Sequence, residues 1–116
     1  MYTVEGAIRR NNNQKKRMIR KLLNLFDGNL KGCKVAVLGL AFKSNTDDVR
    51  ESSSIDMING ILKEGGIVNA YDPIANDSMS HIFRHINYFS NIYDAVNGVD
   101  GLVVMTEWNE FKSLDL

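Results

Sequence analysis

The apolar run Val35 to Leu40, broken only by Gly39 and followed at once by a polar loop, constrains the fold more than any other stretch. It is short and rich in β-branched residues. A run of that kind closing on a glycine predicts a strand buried on both faces. The residues after it carry no apolar pattern: Lys43, Ser44, Asn45, Thr46, Asp47, Asp48, Arg50 and Glu51 dominate. Ser52-Ser53-Ser54 then leads into an amphipathic segment. Strand, polar loop and helix make the start of a βαβ unit. In open α/β sheets ligands bind in the crevice outside the carboxyl ends of the strands. Lys43 and Arg50 therefore stand where a ligand's charge would be read, and the first expectation is an anionic ligand.

The rest of the chain alternates in the same sense. Residues 4–26 are predicted as one long helix, with Val4, Ile8, Met18, Leu22 and Leu25 near helical spacing and a polar middle from Arg9 to Arg17. That middle cannot fold onto this domain's core, so the stripe Val4, Ile8, Met18, Leu22 calls for a partner surface. Asp27-Gly28-Asn29 ends the helix. A second helix is expected from about Ser53 to Glu64, capped by Ser52 or Ser53 and stopped by Gly65-Gly66. Strands are expected at Ile67 to Tyr71, Ile86 to Phe89 and Asp100 to Met105. Helices are expected at 74–84 and at Ile92 to Val96. Alternation of this kind implies a parallel sheet with right-handed crossovers.

Composition excludes several roles. The chain has 116 residues, enough for one domain with a modest core. Fourteen basic residues balance 14 acidic ones, so the chain lacks the positive field that nucleic-acid or membrane-surface binding requires. No apolar run reaches membrane-spanning length and no secretory h-region opens the chain. A single cysteine, Cys33, cannot form an internal disulfide, which fits a reducing, cytoplasmic setting.

Other chemistry-bearing residues have plainer readings. The G-x-G-x-x-G of a dinucleotide loop is missing after the first strand, where Gly39 is followed by Leu40, Ala41, Phe42 and Lys43. Asp72 closes the second strand, but it lies further from Gly39 than a ribose-binding acid would. The Tyr-Asp-Pro turn is read as structural, with an Asx-type cap holding the loop. His81 and His85 have metal-ligand spacing but no third ligand nearby, and are read as surface histidines. Cys33 has no base close in sequence, and a catalytic thiol needs one or a positive dipole. Trp108 and Phe111 are read as packing residues.

The motif G-L-A-F-K-x-x-T-D-D-x-R-E-S, followed by Y-D-P, resembles the C-terminal nucleotide-sugar-binding domain of the UDP-glucose/GDP-mannose dehydrogenases. The resemblance continues through T-E-W-N-E-F near the end of the chain and begins at the N-x-x-Q of Asn11 to Gln14. It implies a Rossmann-like α/β fold with about four parallel strands in the order 3-2-1-4, flanking helices and the long N-terminal helix. Residues 1–28 would be the end of a central helix that links two domains and forms a homodimer. Residues 29–116 would be the nucleotide-sugar-binding domain, truncated at its C-terminus. The resemblance further implies NAD-dependent, two-step oxidation of a UDP-sugar C6 alcohol, with UDP-glucose the foremost substrate, through a thiol-bound intermediate. Phe42 and Lys43 would contact the UDP-sugar and Arg50 would reach towards NAD held by another domain. The family's nucleophile lies in a G-x-C motif that this chain does not contain, so no catalytic residue and no metal is assigned. The last strand, apolar on both faces, would lose a neighbour that the family supplies beyond Leu116. Its edge would then be paired with another chain, covered by residues 106–116, or a cause of poor solubility. The rival reading is a free-standing Rossmann-like binding or regulatory module without catalytic activity.

Overall fold

A computed structural model of the chain describes residues 2–5, 20–26, 28–41, 48–49 and 52–105. Its strands are β1 (Tyr2–Glu5), β2 (Lys34–Leu38), β3 (Ile67–Tyr71), β4 (Asn87–Tyr88) and β5 (Gly101–Val104). They form one sheet in the order β1-β5-β2-β3-β4, with each of the four pairings parallel. The helices are α1, described over residues 20–25, α2 (Ser53–Lys63), α3 (Asn76–Ser80) and α4 (Ile92–Val96). The four strands expected in the order 3-2-1-4 are found as β4-β3-β2-β5.

Strand β2 lies in the middle of the sheet, and Val35, Ala36, Val37 and Leu38 are all fully buried. Successive side chains point to opposite faces, so the apolar run serves two cores at once. Val35 and Val37 join Val68, Ala70 and Val103 in a core closed by Leu22 of α1 and by Met57, Ile58 and Ile61 of α2. Ala36 and Leu38 join Tyr71 and Leu102 against Ile92 and Ala95 of α4. Asn69 is buried on that second face, where its Nδ2 donates to the Ala95 carbonyl at 3.2 Å and its Oδ1 accepts from Asn87 at 3.1 Å. Tyr88 on β4 donates its hydroxyl to the Phe83 carbonyl at 2.7 Å, and burial pushes its phenol up to about 12, so it stays neutral at physiological pH.

The N-terminal segment departs from expectation in two ways. Val4 and Glu5, expected to open the long helix, lie instead in a strand, Tyr2–Glu5, which pairs with β5 in register Tyr2↔Gly101 to Glu5↔Val104. Strand β5 is therefore flanked on both sides from within the chain, and the bare edge expected there does not exist. A backbone edge demands partners for its N–H and C=O groups, and a Tyr-Thr-Val stretch suits a strand. Leu22, placed by the sequence on a surface for a partner, is instead fully buried in the domain's own core, with Leu23, Leu25 and Phe26 packed against it. Ile8, Met18 and the polar middle of the expected helix lie outside the described residues.

Helix α2 starts and stops as its sequence implies. Ser52 is the N-cap, its side chain accepting from the Ser54 N–H, and Asp56 and Lys63 lie at the ends that favour their charges. At the other end Gly65 takes φ +83°. Its N–H reaches the Leu62 carbonyl at 3.0 Å and the Gly66 N–H reaches the Ile61 carbonyl at 2.9 Å, a Schellman closure. A Cβ on Gly66 would stand 2.6 Å from Ile61 Cγ2 and 3.1 Å from the Ile61 carbonyl oxygen. Ile61 is fully buried and cannot swing aside. Gly66→Ala should therefore lower the unfolding free energy by about 1–3 kcal/mol through overpacking. A urea midpoint unchanged by the substitution would show that this helix end yields freely.

Helix α3 is shorter than the 74–84 segment expected. It ends at Ser80, so His81 and His85 share no helical face, and both are exposed. Among the described residues no group of His, Cys, Asp and Glu could hold a metal ion.

Candidate functional site

The carboxyl ends of β2, β3 and β5 lie side by side, with Leu38 in register with Tyr71 on one side and Val104 on the other. The chain leaves β2 through a turn at Gly39, whose φ of +87° favours glycine. The turn is tied to both neighbours. The Gly39 N–H donates to the Tyr71 carbonyl at 2.8 Å, and the Met105 N–H donates to the Leu38 carbonyl at 2.8 Å.

Two further groups converge on Leu40. From the end of β3 comes Asp72, only 2% exposed. Its Oδ2 accepts from the N–H groups of Leu40 at 2.8 Å and Ala41 at 3.3 Å. Its Oδ1 accepts from Ile74 at 2.8 Å and Ala75 at 2.9 Å, an Asx turn of the kind the Tyr-Asp-Pro sequence predicts. Asn76 extends the arrangement, accepting from the Asp72 N–H at 2.9 Å and donating to the Phe89 carbonyl at 2.7 Å. From the start of α2 come Ser52 and Ser54, whose hydroxyls lie 2.7 Å and 2.6 Å from the Leu40 carbonyl oxygen and 2.7 Å from each other. Each hydroxyl has one proton, so two of these three contacts are hydrogen bonds at any instant.

This geometry says how the edge can read an anion. In a dinucleotide loop the backbone N–H groups after the first strand cradle phosphate. Here the N–H groups of Leu40 and Ala41 already face a carboxylate. A negatively charged ligand at this edge needs donors other than these two, which turns attention to residues 42–51 and their cations. Phe42, Lys43 and Arg50 lie outside the described residues, as do Thr106, Glu107, Trp108 and Phe111. Within the 42–51 segment, Val49 is buried in the larger core and its carbonyl accepts from the Ser52 N–H at 3.1 Å. Cys33 is half-buried at the opposite, amino-terminal end of β2, away from this edge.

Asp72 is a turn cap as its local sequence predicts, and of the two cap candidates Ser52 and Ser53 it is Ser52 that caps α2. The second role of each is not legible locally, because the Asp72–Leu40 contact spans 32 residues and the Ser52–Leu40 contact spans 12. The available signal was the Ser-x-Ser pair at the helix start, where the polar loop after β2 ends.

Residues 36–116 match the UDP-glucose/GDP-mannose dehydrogenase family, UDP binding domain. The chain is 42% identical over 112 residues to UDP-glucose 6-dehydrogenase AglM of Haloferax volcanii, covering 97% of this chain and 26% of that protein. It is 38% identical over 112 residues to the UDP-glucose 6-dehydrogenase of Rhizobium meliloti, again covering 97% of this chain and 26% of that one. Among solved structures it is similar to a UDP-glucose dehydrogenase from the hyperthermophilic archaeon Pyrobaculum islandicum. That similarity has a TM-score of 0.81 at 34% identity and covers 90% of this chain and 24% of the other. The chain thus spans about a quarter of the length of the curated relatives it matches.

Proposed function

Because the chain belongs to the UDP-glucose/GDP-mannose dehydrogenase family and carries its UDP-binding domain, we propose that it is the sugar-nucleotide-binding part of an NAD-dependent UDP-sugar 6-dehydrogenase. UDP-glucose is the proposed substrate and UDP-glucuronate the product. The observation that carries this reading is the extent of the family match. It runs from within β2 through the Gly39–Ala41 turn, Ser52, Ser54 and Asp72 to the end of the chain.

In this reading Phe42 and Lys43 hold the UDP-sugar. The Phe42 backbone supplies one contact. The Lys43 ammonium, a mobile point donor, supplies a charged hydrogen bond to phosphate or sugar oxygens. Arg50 faces NAD held by another part of the longer protein, its planar guanidinium suited to phosphate or amide oxygens. The cofactor accepts hydride from the sugar's C6. The Gly39–Ala41 turn offers NAD no phosphate cradle, since Asp72 takes the Leu40 and Ala41 N–H groups. No covalent step is assigned to Cys33, which lies at the far end of β2.

Residues 1–28 are proposed as the connection to the rest of the enzyme and the means by which two copies pair. Helix α1 buries Leu22 in its own core and exposes Arg20, Lys21 and Asn24. Pairing through this helix would then use its polar face and the residues before it. A cytoplasmic location belongs to the same proposal. No described helix is long and apolar enough to cross a membrane.

Calorimetric titration of the 116-residue chain with UDP-glucose tests the reading. Saturable binding is expected, with no NADH formed when NAD is added. Lys43→Ala should weaken binding by about ten- to a hundred-fold, the worth of a charged hydrogen bond of about 1.5–3 kcal/mol. An affinity held within about twofold of the unsubstituted chain would leave Lys43 a solvated surface lysine. Turnover abolished by Cys33→Ser would overturn the exclusion of that thiol.

A further inference from the structure

We infer that Asp72, Ser52 and Ser54 are positioning residues for the ligand-reading loop, holding its two ends on the single residue Leu40 and so fixing the point after Ala41 from which the loop departs. The inference rests on the reading of Lys43 as a substrate contact.

The loop departs after Ala41 and returns at Ser52. At the departing end, the N–H groups of Leu40 and Ala41 both meet Asp72 Oδ2. At the returning end, the Ser52 and Ser54 hydroxyls meet the Leu40 carbonyl. Both polar backbone groups of Leu40 are thus bound by side chains, one from the end of β3 and two from the start of α2. Leu40, Ser52, Ser54 and Asp72 are all buried, so solvent does not loosen these contacts. Val49 anchors the segment between them in the larger core.

A local turn cap would need only one oxygen of Asp72. The Asx turn over residues 72–75 uses Oδ1 alone. The second oxygen reaches across to another strand's turn, where it accepts two N–H groups. An amide cannot replace it, since a side-chain NH2 has no acceptor lone pair and would face two donors. This separates a device that fixes the loop's origin from a cap that merely ends β3.

The test compares the unsubstituted chain with Asp72→Asn and Ser54→Ala, using UDP-glucose as the probe at a temperature well below each melting point. Asp72→Asn should raise amide exchange at Leu40 and Ala41 by at least about tenfold and leave Ile58 and Val103 protected, since the lost bonds are local. It should also raise the dissociation constant for UDP-glucose by about tenfold. Ser54→Ala leaves Ser52 on the same carbonyl and should act in the same direction more weakly. It carries the comparison if Asp72→Asn does not fold. Faster exchange with a dissociation constant held within about twofold in both variants would overturn the positioning inference while leaving the substrate reading intact. An unsubstituted chain that does not bind UDP-glucose overturns the substrate reading itself.

Discussion

Asp72→Ala is expected to lower the unfolding free energy by about 2–6 kcal/mol, and in a domain this small such a loss is a large part of the total. Four backbone N–H groups end on this carboxylate. They do not weigh equally. The donor at Ile74 belongs to an exposed residue of the turn, where water can enter a truncated site. Those at Leu40, Ala41 and Ala75 are buried, where a lost acceptor leaves the N–H unsatisfied at about 1–3 kcal/mol each. The three buried donors therefore set the scale, the 3.3 Å bond from Ala41 counting least, and Ile74 adds little. Urea unfolding followed by far-UV circular dichroism measures the effect. A loss below about 1 kcal/mol would mean that water reaches the Gly39–Ala41 turn and that the carboxylate is not its principal support.

Leu22→Ala should cost about 2–5 kcal/mol, the range for emptying a fully buried leucine site. Leu22 is completely buried among β-sheet and α2 side chains, so the loss belongs to the single chain and should not vary with protein concentration. Sedimentation run alongside denaturation distinguishes this from the intersubunit role that the sequence suggested. A variant that keeps its unfolding midpoint but sediments as a smaller species would return Leu22 to a subunit interface. The result also bears on residues 1–28, since the described part of α1 shares a core with the sugar-nucleotide domain.

The sequence alone was enough to locate the elements whose pattern is local. Ile67–Tyr71 and Ile92–Val96 are found at the residues expected, and α2 runs from its serine cap to its glycine stop. An apolar run too short for a helix forced β2 into the middle of a sheet, and that placed the candidate site at its carboxyl end. Family motifs in the same stretch are the basis for proposing Phe42, Lys43 and Arg50 as ligand contacts. What tertiary structure decided are the pairings between distant segments. Whether Tyr2–Glu5 continues a helix or fills the open edge of β5 depends on the unpaired backbone groups at Gly101–Val104, which no periodicity within residues 2–5 can report. Leu22 has the same helical spacing whether it faces a second chain or its own sheet, and only the packing of α1 against β2 and α2 selects the latter. Asp72 is a turn cap by local sequence. Its second carboxylate oxygen gains its role only because parallel pairing of β2 with β3 brings the Leu40 and Ala41 N–H groups within hydrogen-bonding distance of it.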